Sequence, residues 1–403
     1  MIFLLSLAIT PTLWAIPNTF EEWVATAKEK DPIYLKAMAT RDVAQAKYHQ
    51  NLATLLPSAG IRYTRTWTDV TPDTKVPSVF VDWSFIKGFQ DWTLFRSSRF
   101  MEAAANESLL DADILLRERL AKNLLDFSKA TETVAIIKES LGVIDRRIRE
   151  LEKRVSRGQN RQVDLINTRI ELLDQQRRLS QNSSVVAEKI QELEEATGIR
   201  LDENFILKTE EIVNELENQK TQRSDFKFKA LEYGMKAAKA EETLFYGKWI
   251  PSLTLNYSYY PYKGQKDKST SLDQSKFALQ AEWTFFEGLK SFALRKEKAA
   301  NAIATEQDYL LELKQERTRS KLWKKRIQEI KEQLTNLNQA VTLADKAFSI
   351  QEKDYRLGLV TDLDVATSVQ NRLNVKLSRI QALYDLGFLS LEKMKISNED
   401  SKP

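Results

Sequence analysis

The sequence predicts a mainly α-helical protein with a small β part, built twice over on one plan. Three observations carry that expectation. Helix breakers are scarce, with 11 Gly and 9 Pro among 403 residues, which leaves stretches long enough for helices of many turns. Four short segments alternate apolar and polar residues with period two. The third observation is a duplication. Trp83-Ser84-Phe85-Ile86-Lys87-Gly88 returns 200 positions later as Trp283-Thr284-Phe285-Phe286-Glu287-Gly288, and the same spacing relates Arg157-Gly158 and Asp164 to Leu357-Gly358 and Asp364. Leu56-Pro57-Ser58 pairs with Ile250-Pro251-Ser252 at a spacing of 194. A period of this size is a whole structural half rather than a solenoid repeat. The six-residue difference falls between the Pro-Ser and Trp-x-Phe segments, where a surface loop absorbs it.

The four alternating segments come first. Ile61, Tyr63 and Trp67 alternate with Arg62, Thr64 and Thr66; Val79, Val81, Trp83 and Phe85 alternate with Phe80, Asp82 and Ser84. In the second half Leu253, Leu255, Tyr257 and Tyr259 alternate with Thr254, Asn256 and Ser258. Phe277, Leu279, Ala281, Trp283 and Phe285 then alternate with Ala278, Gln280, Glu282 and Thr284. Each has about the 9–11 residues a tilted strand needs to cross a bilayer. Trp67, Trp249, Tyr259, Tyr260 and Tyr262 gather near the segment ends, where an interfacial girdle would put them. A half-buried sheet in a water-soluble protein carries the same alternation, and Arg65 on the apolar side fits that alternative. The polar stretches 68–75 and 261–274 read as the turns of two hairpins.

Nearly everything else reads as helix. From Asp91 to Arg157 there is no proline and one glycine, Gly142, enough for roughly 100 Å of helix at the standard rise. Its lower part carries Ile137, Leu141, Ile144, Ile148, Leu151 and Val155, and the segment after Gly158 carries Leu165, Leu172, Leu179, Val186 and Leu193 seven apart. The second half repeats the pattern with Ile327, Ile330, Leu334, Leu337, Val341, Ala344 and Phe348. Such seams belong to coiled coils. Shorter helices precede each first strand, at 32–56 and about 225–246, and the stretch 198–223 breaks periodicity and links the halves.

The chain divides accordingly into 1–15, a signal peptide; 16–208, a first repeat with a strand hairpin at 58–86 and a helix-hairpin tip near 158; and 209–403, a second repeat with a strand hairpin at 252–286 and a tip near 358. Residues 2–14 are apolar and too short to span a bilayer as a helix. They read as a signal peptide whose basic n-region is missing, with a buried N-terminal strand as the alternative. No other stretch has the length and apolarity of a transmembrane helix.

Composition excludes several function classes. The chain holds no cysteine, which removes thiol catalysis, thiolate metal sites and disulfides. Basic and acidic residues are nearly balanced, 61 against 57 for a net charge of +4, which argues against a nucleic-acid partner. The basic run at 314–326 lies in a helical pattern among acids, as a solvated face would. The single histidine, His49, sits among Tyr48, Gln50 and Asn51 with no catalytic or metal-ligating company, and no phosphate-binding or dinucleotide fingerprint occurs. No catalytic residue, metal or cofactor is expected.

The order and spacing of these segments are similar to the TolC-type outer-membrane efflux and secretion channel family. The residues that carry the resemblance are Leu55-Leu56-Pro57-Ser58 and Trp249-Ile250-Pro251-Ser252-Leu253 opening the strands, and the two Trp-x-Phe-x-x-Gly segments closing the hairpins. The most specific is Tyr355-Arg356-Leu357-Gly358-Leu359-Val360-Thr361-Asp362-Leu363-Asp364-Val365, which resembles that family's helix-hairpin tip. The resemblance implies a homotrimer whose protomers give four strands each to an outer-membrane barrel in lipid, with long helices forming a periplasmic tunnel. It implies a passive export conduit of a tripartite pump or type I secretion system, working with a periplasmic adaptor (membrane fusion) protein and an inner-membrane transporter. It places adaptor docking at the tips around Gly158, Gly358 and Thr361, and an entrance constriction at Asp164, Asp364 and Tyr355. Plainer readings stand beside these. An Asp in the first turn of a helix also serves its dipole, and a turn glycine supplies positive φ. Arg161 stands where the tip motif has Ser or Thr. A coiled-coil scaffold without a pore, periplasmic or cytosolic, is the alternative function, and it has no use for the alternating strands.

Overall fold

The structure is a computed structural model that describes residues 17, 19–67, 74–87, 89–201, 205, 207–218, 226–247, 249–261 and 275–393. The expected signal peptide, the two hairpin turns for most of their length, Gly88 and Tyr262 lie outside the described residues. In chain order the elements are α1 (Phe20–Lys30), α2 (Pro32–Ala53), β1 (Ser58–Thr66), β2 (Thr74–Lys87), α3 (Gln90–Ser156), α4 (Gln162–Thr197), α5 (Thr209–Asn218), α6 (Phe226–Glu242), α7 (Leu244–Gly247), β3 (Ser252–Tyr259), β4 (Ser275–Glu282), α8 (Lys290–Leu357) and α9 (Asp362–Lys393). The mainly helical class with four antiparallel strands is therefore as the sequence predicts.

Contacts divide the chain into two compact units that cut across the sequence repeats. One takes the described parts of 1–35, 113–224 and 316–403; the other takes 36–112 and 225–315. Each unit draws on both repeats.

The helical unit owes its core to apolar positions spaced for one helix face. Leu116, Leu120, Leu124, Leu125 and Phe127 of α3 are buried with Leu193 of α4, Ile212, Val213 and Leu216 of α5, and Leu386 and Leu391 of α9. Helix α1 closes one side of this cluster with Phe20, Trp23, Val24 and Ala27, and its start is capped by Thr19, whose hydroxyl accepts from the Glu22 N–H at 3.4 Å. Helix α9 approaches closely at Gly387, where a Cβ would lie 2.9 Å from both Leu125 Cδ2 and Val213 Cγ2. Toward the hairpin turns a second, smaller core joins Val143 and Leu151 to Tyr355, Val365 and Val369. The seam of α3 is buried at Ile137, Ile144 and Leu151. The seam of α8, by contrast, is only half-buried at all seven positions. Its outer side leaves Leu343, Ile350 and Leu357, seven apart, exposed.

The other unit is organised by one antiparallel sheet in the order β1-β2-β3-β4. The central ladder, β2 with β3, joins strands from the two repeats, with Val81 opposite Tyr257 and Trp83 opposite Leu255. A register shift between Ser84 and Ile86 marks a bulge in β2. The repeated Trp-x-Phe segments differ here from the sequence expectation. Trp83 and Phe85 lie within β2, whereas β4 ends at Glu282, before Trp283 and Phe285. The cause is the partner strand. Ser252, the first residue of β3, pairs with Glu282, so the ladder has no further carbonyls to offer.

Candidate functional site

Side chains directly opposite in a sheet share a face, so the register sorts the residues into two surfaces. On one face lie Ile61, Val79 and Tyr259; then Ala59, Val81, Tyr257 and Phe277; then Trp83, Leu255 and Leu279; then Leu253 and Ala281. This surface is apolar except at one end, where Ser275 lies opposite Tyr259 and Arg65 follows Tyr63 on the same face, and it is not covered: Ile61 is 82% exposed, Phe277 67% and Leu279 63%. Exposed Trp67, Trp249 and Trp283 stand just beyond strand ends.

The opposite face is polar. Asn256 Nδ2 donates to Asp82 Oδ1 at 2.8 Å, the Ser84 and Thr254 hydroxyls lie 3.3 Å apart, and Arg62 reaches Asp82 at 4.0 Å. The aromatic exception is Phe80, opposite Gly60, where a Cβ would come within 2.8 Å of the ring. The Arg62 guanidinium covers Phe80 4.5 Å from the ring centroid. A face that is apolar and bare, backed by one that is polar and hydrogen-bonded, inverts the arrangement of a sheet packed on a core. Among the described residues β1 pairs only with β2 and β4 only with β3, so both edges are open.

The turns of the two helix hairpins lie in the helical unit. At each, a glycine takes a left-handed conformation, Gly158 with φ 72° and Gly358 with φ 78°. Neither has another atom within 4 Å of where a Cβ would sit. The chain then enters the return helix differently on the two sides. Thr361 caps α9 reciprocally: its N–H and hydroxyl donate to Asp364 Oδ2 at 2.8 and 2.6 Å, and the Asp364 N–H donates to the Thr361 hydroxyl at 3.3 Å. These bonds hold the Asp364 carboxyl below its ordinary value of 3.8, the Thr361 hydroxyl contributing most. The cap is therefore intact above 3.8 and is lost only as pH falls through the lowered value. At the first turn Arg161 has no side-chain capping bond, and it pairs with Asp164 through Nη2 at 3.2 Å.

Tyr355 is buried beneath both turns, its ring 4.3 Å from the Arg154 guanidinium. Its hydroxyl accepts from Asn160 Nδ2 at 3.5 Å. Burial raises the Tyr355 pKa, and the nearby Asp362 charge raises it further.

The residue that sequence reasoning missed is Arg147. It lies in α3 on the buried side and grips α9 with two bonds, Nε to Asp362 Oδ1 at 2.7 Å and Nη2 to Asp362 Oδ2 at 2.6 Å. Nη1 donates to Glu171 Oε2 of α4 at 3.0 Å, and the Thr168 hydroxyl lies 3.5 Å from Asp362 Oδ2. One guanidinium thus joins three helices. Burial raises the Glu171 pKa despite the opposing pull of Arg147. A second set ties α9 to α3 and α8, where Arg372 and Lys376 of α9 meet Glu139 of α3 and Asp345 of α8. Burial alone would raise the Glu139 pKa, but the Lys376 hydrogen bond and the Arg372 charge outweigh it and hold it low.

CusC, studied for its folding and transmembrane channel formation, superposes with a TM-score of 0.80 at 14% identity, covering 96% of each chain. The outer membrane protein VceC of Vibrio cholerae gives 0.78 at 16% identity over 94% of this chain and 97% of its own. The CmeC outer membrane channel of Campylobacter jejuni gives 0.77 at 13% identity over 94% and 87%. The chain shares the fold of these outer-membrane channel structures. The resemblance read from the sequence is thereby borne out at the level of fold. No protein-family model matches the sequence, and no curated protein does.

The buried ion pair gives a direct test. Arg147→Ala leaves Asp362 buried without its partner and should destabilise the helical unit by about 3–5 kcal/mol, whereas Arg147→Met with Asp362→Leu should recover most of that loss. The midpoint of thermal helix loss, followed by circular dichroism, reads both. Equal losses in the single and double variants would show that the ion pair is incidental to the packing.

Proposed function

We propose that the chain is the outer-membrane channel of a tripartite efflux pump or type I secretion system, a passive conduit rather than an enzyme. The observation that carries this reading is the sheet: an exposed apolar face, a polar face behind it, and two open edges. Open strand edges are not tolerated in lipid, so four strands require further copies to close a barrel. A homotrimer supplies them, with the apolar face turned to outer-membrane lipid and the polar face lining water. The half-buried seam and bare outer stripe of α8 support the same conclusion, since copies side by side would cover them. The two sequence repeats, 16–208 and 209–403, are read as duplicated halves, and the signal peptide at 1–15 would deliver the chain to the periplasm. There the helical part would extend toward a periplasmic adaptor and an inner-membrane transporter. A pore-less scaffold has no role for the bare apolar face.

In this reading Gly158, Gly358 and Thr361 mark the tips that dock the adaptor. Asp164, Asp364 and Tyr355 mark the entrance, where carboxylates from several copies would favour cations. The capping bonds of Asp364 support the role by fixing its charged form.

Two measurements test the proposal. Leu279→Arg on the apolar face should cost about 2–4 kcal/mol near the bilayer midplane and collapse the yield of membrane-borne trimer, while Gln280→Arg should be tolerated. Equal tolerance on the two faces removes the barrel. In planar bilayers Asp364→Asn should lower cation preference; unchanged selectivity would leave Asp364 a helix cap only.

A further inference from the structure

The apolar face of the sheet ends in two basic positions. Beyond the rung of Ile61 and Val79, β1 and β2 place Tyr63 opposite Pro77 and then Arg65 opposite Lys75 on that same face. The last rung of β3 and β4, Tyr259 with Ser275, is level with Val79. Arg65 is exposed, and its guanidinium stands 4.7 Å from the centroid of the Trp67 ring. Tyr63 on its other side is 61% exposed and Trp67 68%. None of the residues that the register puts on this face is acidic, and Asp69 and Asp73 of the turn lie outside the described residues. From Ile86 to Pro77 the face rises about 30 Å along β2 and about 23 Å across a bilayer at the usual strand tilt, close to the height of a barrel's apolar band. Arg65 and Lys75 therefore stand at the border of that band, where basic residues are tolerated, and not at its midplane.

The chain enters β1 from α2 and leaves β2 for α3 at the opposite end of the sheet. With those helices on the periplasmic side, the basic border faces the outer leaflet. We propose that Arg65 and Lys75 bind the phosphate of an outer-leaflet glycolipid of the lipid A class, with Tyr63 and Trp67 against the sugar and upper acyl chains. This rests on the channel reading and deepens it, because it names which lipid meets the barrel at one place. Snorkelling accounts for a single cation at a strand end. It gives no reason for a second one directly opposite, where like charges repel. A phosphate shared between the two offsets that repulsion, and the arginine fork matches phosphate oxygens. The aromatic rings on either side of Arg65 suit the boundary between headgroups and hydrocarbon.

The test uses the full chain solubilised in detergent, incubated with diphosphoryl lipid A or with lipid A stripped of both phosphates. Lipid retained per chain is counted by native mass spectrometry, and conductance of the same preparation is recorded in planar bilayers. The phosphorylated lipid should be retained about tenfold better than the stripped one. Arg65→Gln with Lys75→Gln should abolish that preference and leave conductance unchanged. Lys276→Gln, which removes an exposed cation from the polar face, should leave the preference intact. Equal retention of the two lipids by the unaltered chain, or a preference that survives the double variant, overturns the proposal. So does release of the lipid by excess inorganic phosphate at constant ionic strength, which would mark a site for phosphate without the lipid. Channels that conduct without any lipid preference would remove the site and leave the channel reading standing. A preference that depends on Arg65 and Lys75 in a preparation that never conducts would uphold the site and count against the channel.

Discussion

A four-stranded antiparallel sheet with both edges open and its apolar face bare is incomplete, and the rest of the chain is intelligible from that constraint. Each unpaired strand edge offers N–H and C=O groups that must find partners wherever water is absent. Each exposed row of Val, Leu, Phe and Tyr must find something apolar to lie against. In the channel proposed above, more copies of the chain would satisfy the first demand and lipid the second. The polar face, with Asn256 on Asp82 and Ser84 beside Thr254, is already suited to water. The central β2–β3 ladder fuses the strands of the two repeats into one sheet, so neither repeat is a self-sufficient structure.

The helical unit answers a different demand. Its turns must hold a defined shape at the ends of helices of 67 and 68 residues. Positive-φ glycines make the turns, and polar bonds then fix them unequally. The second turn has a reciprocal cap, while the first has an Arg161–Asp164 pair. Arg147 ties the capped end of α9 to α3 and α4, using a carboxylate, Asp362, whose counterpart 200 residues earlier is Gln162. The two halves of the sequence therefore differ here: one supplies the buried arginine, the other the buried aspartate.

How much of this was legible in the sequence follows from how local each signal is. The long helices were readable because heptad spacing and the lack of proline act within the segment itself. The strands were readable because alternation does too. The end of β4 was not, since the partner strand decides where a ladder stops and Trp283 and Phe285 continue the alternation regardless. Helix α5 lies in the stretch 198–223 that the sequence reads as a link, because ten residues with Ile212, Val213 and Leu216 show too little periodicity, and tertiary burial makes the helix. Arg147 was hidden inside a run of exposed basic residues. Its phase was the available clue: it falls three residues after buried Ile144 and four before buried Leu151. Gly158, Gly358 and Thr361 stand at the turns, where glycine and capping signals are local, but the engagement of Tyr355 with Asn160 depends on side-chain geometry that spacing does not encode.

The absence of native cysteine makes the central claim open to one clean measurement. A chain carrying one cysteine in place of Arg62 on β1 and one in place of Lys276 on β4 has thiols on opposite edges of its own sheet, out of reach of each other. Oxidation in membranes, followed by denaturing electrophoresis, reports whether β1 of one copy lies beside β4 of the next. Scanning neighbouring positions along the two strands covers the register. The account predicts cross-linked species that stop at three chains, with the circularised trimer dominant. Chains that remain monomeric across the whole scan, or ladders that continue past three, would contradict it.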